Sequence, residues 1–241
     1  MRKVATIVET RVHPALGFVV DNFMSILPKE WEFQIFHTDD YVRRQLVRDL
    51  PIRHGRKIHW DKIPDVPYTR TMHDYSILLL SNDFWEKCHG DLILMFQTDT
   101  MLCKDSKYKI SDFEHYDYIG GVPAAGTKNG NLARAGEPPF MNGGLSLRRK
   151  KAMLDVPKPT LKLNLKLKSG GIEPEDRFYS RAFMHHPDLG RDSKRFSWDH
   201  GYVDEDIPFG LHKPWLGPAT RRLFSKLIPE TDRLRRLCKK S

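Results

Sequence analysis

Leu92-Ile93-Leu94-Met95-Phe96-Gln97-Thr98-Asp99-Thr100 decides the fold. Its first five residues are apolar without a break, so no polar face is left for water. A strand of this kind is buried on both sides, as in a parallel sheet covered by helices. The run then stops at four polar residues, where the strand must leave the core.

Upstream, Val4–Val8 reads as another buried strand. His13-Pro14 opens a helix with Leu16, Val19, Val20, Phe23, Ile26 and Leu27 at helical spacing, and Pro28 ends it. Phe33–Phe36 is a strand, Tyr41–Asp49 a helix, Lys57–Trp60 a short strand and Thr71–Leu80 a helix, with Phe84-Trp85 just after it. Strands alternating with helices give βαβ units and a largely parallel sheet. Ligands in such sheets bind beyond the carboxyl ends of the strands. Thr10-Arg11, Asp39-Asp40 and Gln97–Thr100 fall at those ends.

Downstream, Tyr116–Gly121 is a strand ending in glycines, and 121–140 is a long Gly/Pro-rich loop. Met141–Arg148 leads into a helix over Arg149–Leu154. Lys158–Lys168 alternates Lys with Leu, as an exposed strand or an inserted loop. A helix spans Glu173–Phe183 with Pro174 in its first turn, and Phe209–Trp215 closes the body.

With 241 residues, 39% hydrophobic and 29% charged, the chain reads as one folded α/β domain. No apolar run approaches the roughly 20 residues that span a bilayer, and the N-terminus does not read as a signal peptide. Cys88, Cys103 and Cys238 lack metal or disulfide spacing, so free thiols in the cytoplasm are expected. The net charge of +9 is segregated: residues 217–241 hold eight Lys or Arg against Glu230 and Asp232. A nearly balanced body over 1–216 therefore carries a basic tail, which argues against specific nucleic-acid binding. Leu223, Leu227, Leu234 and Cys238 recur at helical spacing in that tail. Two readings stay open: peripheral contact with an anionic membrane, or a helix packed back on the body.

GxGxxG, GxxxxGK[ST], HExxH and GxSxG are all absent. Four constellations remain, each with a plain structural alternative. Asp99 after the buried strand is placed to bind a hard cation or to cap a turn. Asn142-Gly143-Gly144 allows close backbone approach, or simply a tight turn. Glu175-Asp176 at a helix start offers a general base, or complements the helix dipole. His212-Lys213-Pro214-Trp215 places an imidazole beside an ammonium.

Taken in order, TIVETRVHPAL (6–16), LMFQTDT (94–100), NGGLSLR (142–148), PEDRFYSR (174–181) and FGLHKPW (209–215) resemble the small glycosyltransferases of the GT-A type. The resemblance is greatest to a bacterial and viral family of uncharacterised glycosyltransferase-like proteins, and it covers about residues 4–216. It implies a single GT-A (Rossmann-like) domain with a mostly parallel sheet. It further implies transfer of a sugar from a UDP- or GDP-sugar to a glycan, lipid-linked or protein acceptor. By this resemblance Thr6, Val8, Thr10, Arg11 and Asp39 border the nucleoside, and Thr98 binds the nucleotide donor beside Asp99. Asp99 and His212 ligate Mn²⁺ or Mg²⁺, Lys213 contacts the diphosphate, and Asn142, Gly143 and Gly144 border donor sugar and acceptor. The motif QTDT departs from Asp-x-Asp at Gln97, which questions strict metal dependence. An inverting transferase needs a base, with Asp176 preferred over Glu175. Alternatives are a retaining transferase of the same fold, a non-catalytic nucleotide-sugar-binding protein and, less favoured, a nucleic-acid-binding protein.

Overall fold

The computed structural model describes residues 1–38, 50–63, 72–123, 140–158, 173–199, 206–215 and 228–239. The helix expected over Tyr41–Asp49, most of the 121–140 loop, the 158–168 segment beyond Lys158, and Asp39 lie outside these residues.

The first half follows the expected alternation. Its strands are β1 (Lys3–Val8), β2 (Glu32–His37), β3 (Ile58–Lys62) and β4 (Leu92–Phe96). Between them come α1 (Leu16–Ile26), α2 (Leu50–His54), α3 (Met72–Leu80) and α4 (Asn82–Lys87). The apolar positions of α1 (Leu16, Val19, Val20, Phe23, Met24) are its buried face. Phe23 stacks on Phe96 with ring centroids 4.2 Å apart, tying α1 to the end of β4.

Beyond β4 the chain adds β5 (Thr100–Leu102), β6 (Tyr118–Pro123), β7 (Asn142–Arg149), α5 (Lys150–Asp155), α6 (Glu175–Phe183), α7 (Leu189–Phe196), β8 (Ser197–Asp199), β9 (Gly210–His212) and α8 (Glu230–Cys238). The strands form one sheet in the order β3-β2-β1-β4-β7-β6-β8-β9-β5. Neighbours pair in parallel except at β4–β7, β6–β7 and β5–β9. This is the mostly parallel α/β architecture that was expected.

Several details differ from the sequence reading, which assigned no element to α2, β5 or α7. The glycines of Tyr116–Gly121 do not end a strand: the register shifts between Gly120 and Gly121, where β6 leaves β7 and goes on to pair with β8. A Cβ on Gly120 would stand 2.3 Å from the Asn142 carbonyl oxygen, so the close approach requires glycine there. Pro174 is the residue before α6, not part of its first turn. Short β8 and β9 carry too few residues for a periodicity to show.

The described part of the tail packs on the domain. Leu234 of α8 is 0% exposed in the core. Arg233 lies over the Phe18 ring at 4.9 Å, Glu230 pairs with Lys104 at 3.2 Å, and the Cys238 thiol donates to the Thr98 carbonyl at 3.4 Å. The apolar side of α8 faces protein, so membrane contact through that face is not supported. Among the described residues, no helix is long and apolar enough to cross a membrane.

Candidate functional site

The turn after β4 carries Asp99, and β5 runs antiparallel to β9 with Thr100 opposite His212. That pairing brings two distant sequence motifs together. Asp99 Oδ1 is 3.4 Å from His212 Nε2, and Asp99 Oδ2 is 3.6 Å from Lys213 Nζ. The Lys213 amide also donates to the Asp99 carbonyl at 3.0 Å. Lys213 has φ +46°, a left-handed conformation that non-glycine residues rarely adopt. Strain of this kind persists only where surrounding contacts impose it.

Asp199, at the end of β8, faces His212 across the β8–β9 pairing. Its Oδ1 is 2.6 Å from His212 Nδ1, and both side chains are buried. A carboxylate on Nδ1 fixes the ring and presents Nε2 toward Asp99, as metal-binding histidines are commonly oriented. Burial opposes a charged imidazole, but Asp99 and Asp199 outweigh it and lift His212 to about 9. Burial likewise opposes ionisation of Asp99, yet His212 and Lys213 hold its carboxyl well below the ordinary value. A cation bound at Nε2 would have to displace the imidazole proton.

Gly143 and Gly144 are close-packing glycines, and neither needs a left-handed φ. A Cβ on Gly144 would meet the His212 ring, and one on Gly143 would meet Glu175 Oε1 at 2.6 Å and Arg148 Nη2 at 2.7 Å. Asn142 Oδ1 accepts from the Gly144 amide at 2.7 Å at the start of β7, so these residues open a strand and do not form the tight turn that was the plain alternative. Two consecutive glycines thus seat the imidazole and the Glu175–Asp176 pair against one strand.

The two carboxylates at the start of α6 part company. Glu175 is buried, with Oε1 3.2 Å from Arg148 Nη2 and Oε2 accepting from Ser76 Oγ at 3.3 Å. Asp176 is half-buried; its Oδ2 accepts from the Gly143 amide at 3.3 Å and its Oδ1 from the Arg177 amide at 2.9 Å. Burial first, then the Glu175 charge, pushes Asp176 up to about 8, against the opposing pull of Arg148 and the two amides.

The nucleoside-side residues divide as well. Arg11 is exposed beyond β1, with its Nε 3.1 Å from Glu9 Oε1, and Thr10 receives a hydrogen bond from Thr38 on its carbonyl. Val8 is half-buried at the strand end. Thr6 is fully enclosed between β2 and β4, so it presents no surface to a nucleoside. Thr98 is buried and turned to Glu9 at 3.4 Å. Asp39 lies outside the described residues.

Asp199, Arg148 and Glu9 escaped the sequence reading. Asp199 sits in a three-residue strand. Arg148 looked like a strand terminus entering a helix, although its two-residue spacing from Ser146 puts both on one face of β7. Glu9 sits beside Arg11 at the end of a buried strand, a spacing that would have suggested the pair.

Among the described residues, no three His, Cys, Asp or Glu side chains are grouped to hold a metal by themselves. Asp99 and His212 supply two donors, which suits a hard cation completed by substrate phosphate oxygens and water rather than an all-protein cage.

Solved structures share this fold at low identity. GlyE of Streptococcus pneumoniae TIGR4, a glycosyltransferase in its apo form, is 12% identical with a TM-score of 0.58; the match covers 100% of this chain but 64% of GlyE. The galactosyltransferase LgtC, solved with donor and acceptor sugar analogues, is 12% identical with a TM-score of 0.64, covering 98% of this chain and 95% of LgtC. WbbM, a bifunctional glycosyltransferase, is 8% identical with a TM-score of 0.53, covering 98% of this chain and 51% of WbbM. The sheet and its flanking helices are thus those of GT-A glycosyltransferases. No curated protein sequence matches. The sequence model described as "Protein of unknown function (DUF5672)" matches residues 57–212, a span that includes Asp99, Gly143, Gly144, Asp176, Asp199 and His212, and the chain belongs to that family.

Proposed function

We propose that this protein is a glycosyltransferase that moves a sugar from a nucleoside-diphosphate sugar, a UDP- or GDP-sugar, to an acceptor hydroxyl. One observation carries the reading: Asp99, His212 and Lys213 converge at the carboxyl end of β4 in a GT-A sheet. A carboxylate, an imidazole and an ammonium in one place suit a diphosphate and its counter-cation. The glycosyltransferase relatives in fold, one of them bound to donor and acceptor sugar analogues, support the same class.

Asp99 and His212 would hold Mn²⁺ or Mg²⁺, with the imidazole favouring the softer Mn²⁺. When bound, the cation supplies positive charge to the diphosphate as the glycosidic bond breaks. Lys213 adds an ammonium to the same leaving group. Thr10 and Arg11 flank the nucleoside, and Asn142–Gly144 border the donor sugar. The acceptor, a glycan, a lipid-linked sugar or a protein, enters opposite the leaving group.

Asp176 is the base. It accepts the acceptor hydroxyl proton as the acceptor oxygen attacks the anomeric carbon and the nucleoside diphosphate departs, which inverts that carbon. Its raised proton affinity suits it to this task once ionised. Glu175 is held by Arg148 and Ser76 and does not take this part. The test is turnover of a panel of UDP- and GDP-sugars with Mn²⁺. Release of nucleoside diphosphate from one of them, reduced about 10²-fold or more by Asp176→Ala, is expected. Equal turnover by the variant would reject Asp176 as base.

A further inference from the structure

We propose that Arg148 is a positioning residue: from inside the sheet its guanidinium ties Gly143 to Glu175 and thereby fixes where Asp176 stands. The inference rests on the transferase reading for what Asp176 does there.

Arg148 lies mid-sheet, opposite Ile93 of β4 and Tyr118 of β6. Its side chain is 0% exposed, so it cannot touch a substrate. The rings of Trp85, Tyr118 and Tyr179 surround it, with centroids 5.6, 5.1 and 5.6 Å from Cζ. Such a cage offers the faces of three π-systems to the cation. A buried ion pair is poor evidence of added stability, because apolar residues of similar volume commonly serve as well. What Arg148 provides is geometry.

Its hydrogen bonds close a ring. Nε donates to Ser146 Oγ at 2.9 Å, and that hydroxyl donates to the Gly143 carbonyl at 3.1 Å. Nη2 reaches the same carbonyl at 3.5 Å and Glu175 Oε1 at 3.2 Å. On its other side the Gly143 amide donates to Asp176 Oδ2 at 3.3 Å. Arg148 therefore holds Gly143 by its carbonyl, while Asp176 leans on the amide of the same residue, and it also holds the residue preceding Asp176. A lysine, a point charge on a flexible stem, cannot span the same acceptors in one plane. The charged groups that act most strongly on Asp176 are Glu175 on α6 and Arg148 from β7; Tyr118 of β6 interacts with it as well, and Arg177 reaches it through its backbone amide.

Arg148→Lys keeps the charge and Glu175→Gln keeps the shape. With a turned-over sugar nucleotide, Arg148→Lys is expected to lower kcat by about 10²-fold with donor KM unchanged, the cost of a misplaced catalytic group. Glu175→Gln removes the negative charge beside Asp176, and the pH midpoint of kcat is expected to fall by about one unit. A purely structural pair would change melting temperature alone. Wild-type kcat in folded Arg148→Lys would overturn the proposal, and if that variant does not fold, Ser146→Ala, which cuts the Nε–Oγ–Gly143 link, decides it by the same loss of kcat. If the wild type turns over no sugar nucleotide, the transferase reading fails separately. The Gly143 amide and Asp176 carboxyl resonances, compared by NMR in wild type and Arg148→Lys, then test the positioning: shifts at both support it and unchanged shifts refute it.

Discussion

Gly144 lies so close to His212 that a Cβ at position 144 would stand 2.5 Å from Nε2. The imidazole is hemmed in by Gly144 on one side and held by Asp199 on another. Gly144→Ala must therefore push the ring out of place. Overpacking of this sort costs about 1–3 kcal/mol. The expected outcome is a folded protein with a lowered melting temperature and strongly weakened Mn²⁺-dependent nucleotide binding, measured by calorimetry. Undiminished binding would mean that His212 does not need its present position.

Asp199→Asn probes the same ring from behind. Loss of an orienting carboxylate typically weakens metal affinity by about 10–100-fold. Mn²⁺ titration in the presence of UDP or GDP should show a loss of that size while the fold survives. Affinity equal to wild type would leave Asp199 with a purely structural part.

The pH dependence follows from Asp176. Its carboxyl is raised from 3.8 to about 8 in the folded protein, by burial and then by Glu175. The folded state therefore binds more protons than the unfolded one between those values, and stability falls as pH rises through that window. Asp176→Asn should flatten this part of the stability curve in denaturant titrations at several pH values. Because the base acts only when ionised, kcat should climb with pH and level off above about 8. A rate that falls over that range would contradict the assignment.

Much of this was legible in the sequence, for identifiable reasons. The apolar runs of β1, β2 and β4 are buried on both faces, so composition alone marked them. α1 was readable because Leu16, Val19, Val20 and Phe23 repeat at the helical period. Asp99 and Asp176 stood out because each sits at the edge of such an element, and His212 because an imidazole adjoins an ammonium. The meeting of Asp99 with His212 was not legible from either element, since it arises from β5–β9 pairing between strands of three residues. Thr6 was expected at the nucleoside from the resemblance alone, whereas here it is enclosed in the sheet. Arg148 was hidden because a charge at the end of a strand normally points to water.

The tail makes a separate prediction. Leu234 is fully buried within the domain core. Leu234→Ala should destabilise the protein by about 2–5 kcal/mol, measured by urea denaturation. A cost near zero would show that α8 is not docked in solution and would reopen a surface role for its apolar face.

The most direct measurement is the melting temperature with and without Mn²⁺ plus UDP or GDP, in wild type and Asp99→Ala. Ligand at about 100 times its dissociation constant adds about 2.7 kcal/mol, or about 5–10 °C for a chain of this size. A rise of that order is expected in wild type, needing both metal and nucleotide and absent in Asp99→Ala. No rise in wild type with either nucleotide, or an equal rise in Asp99→Ala, would contradict it.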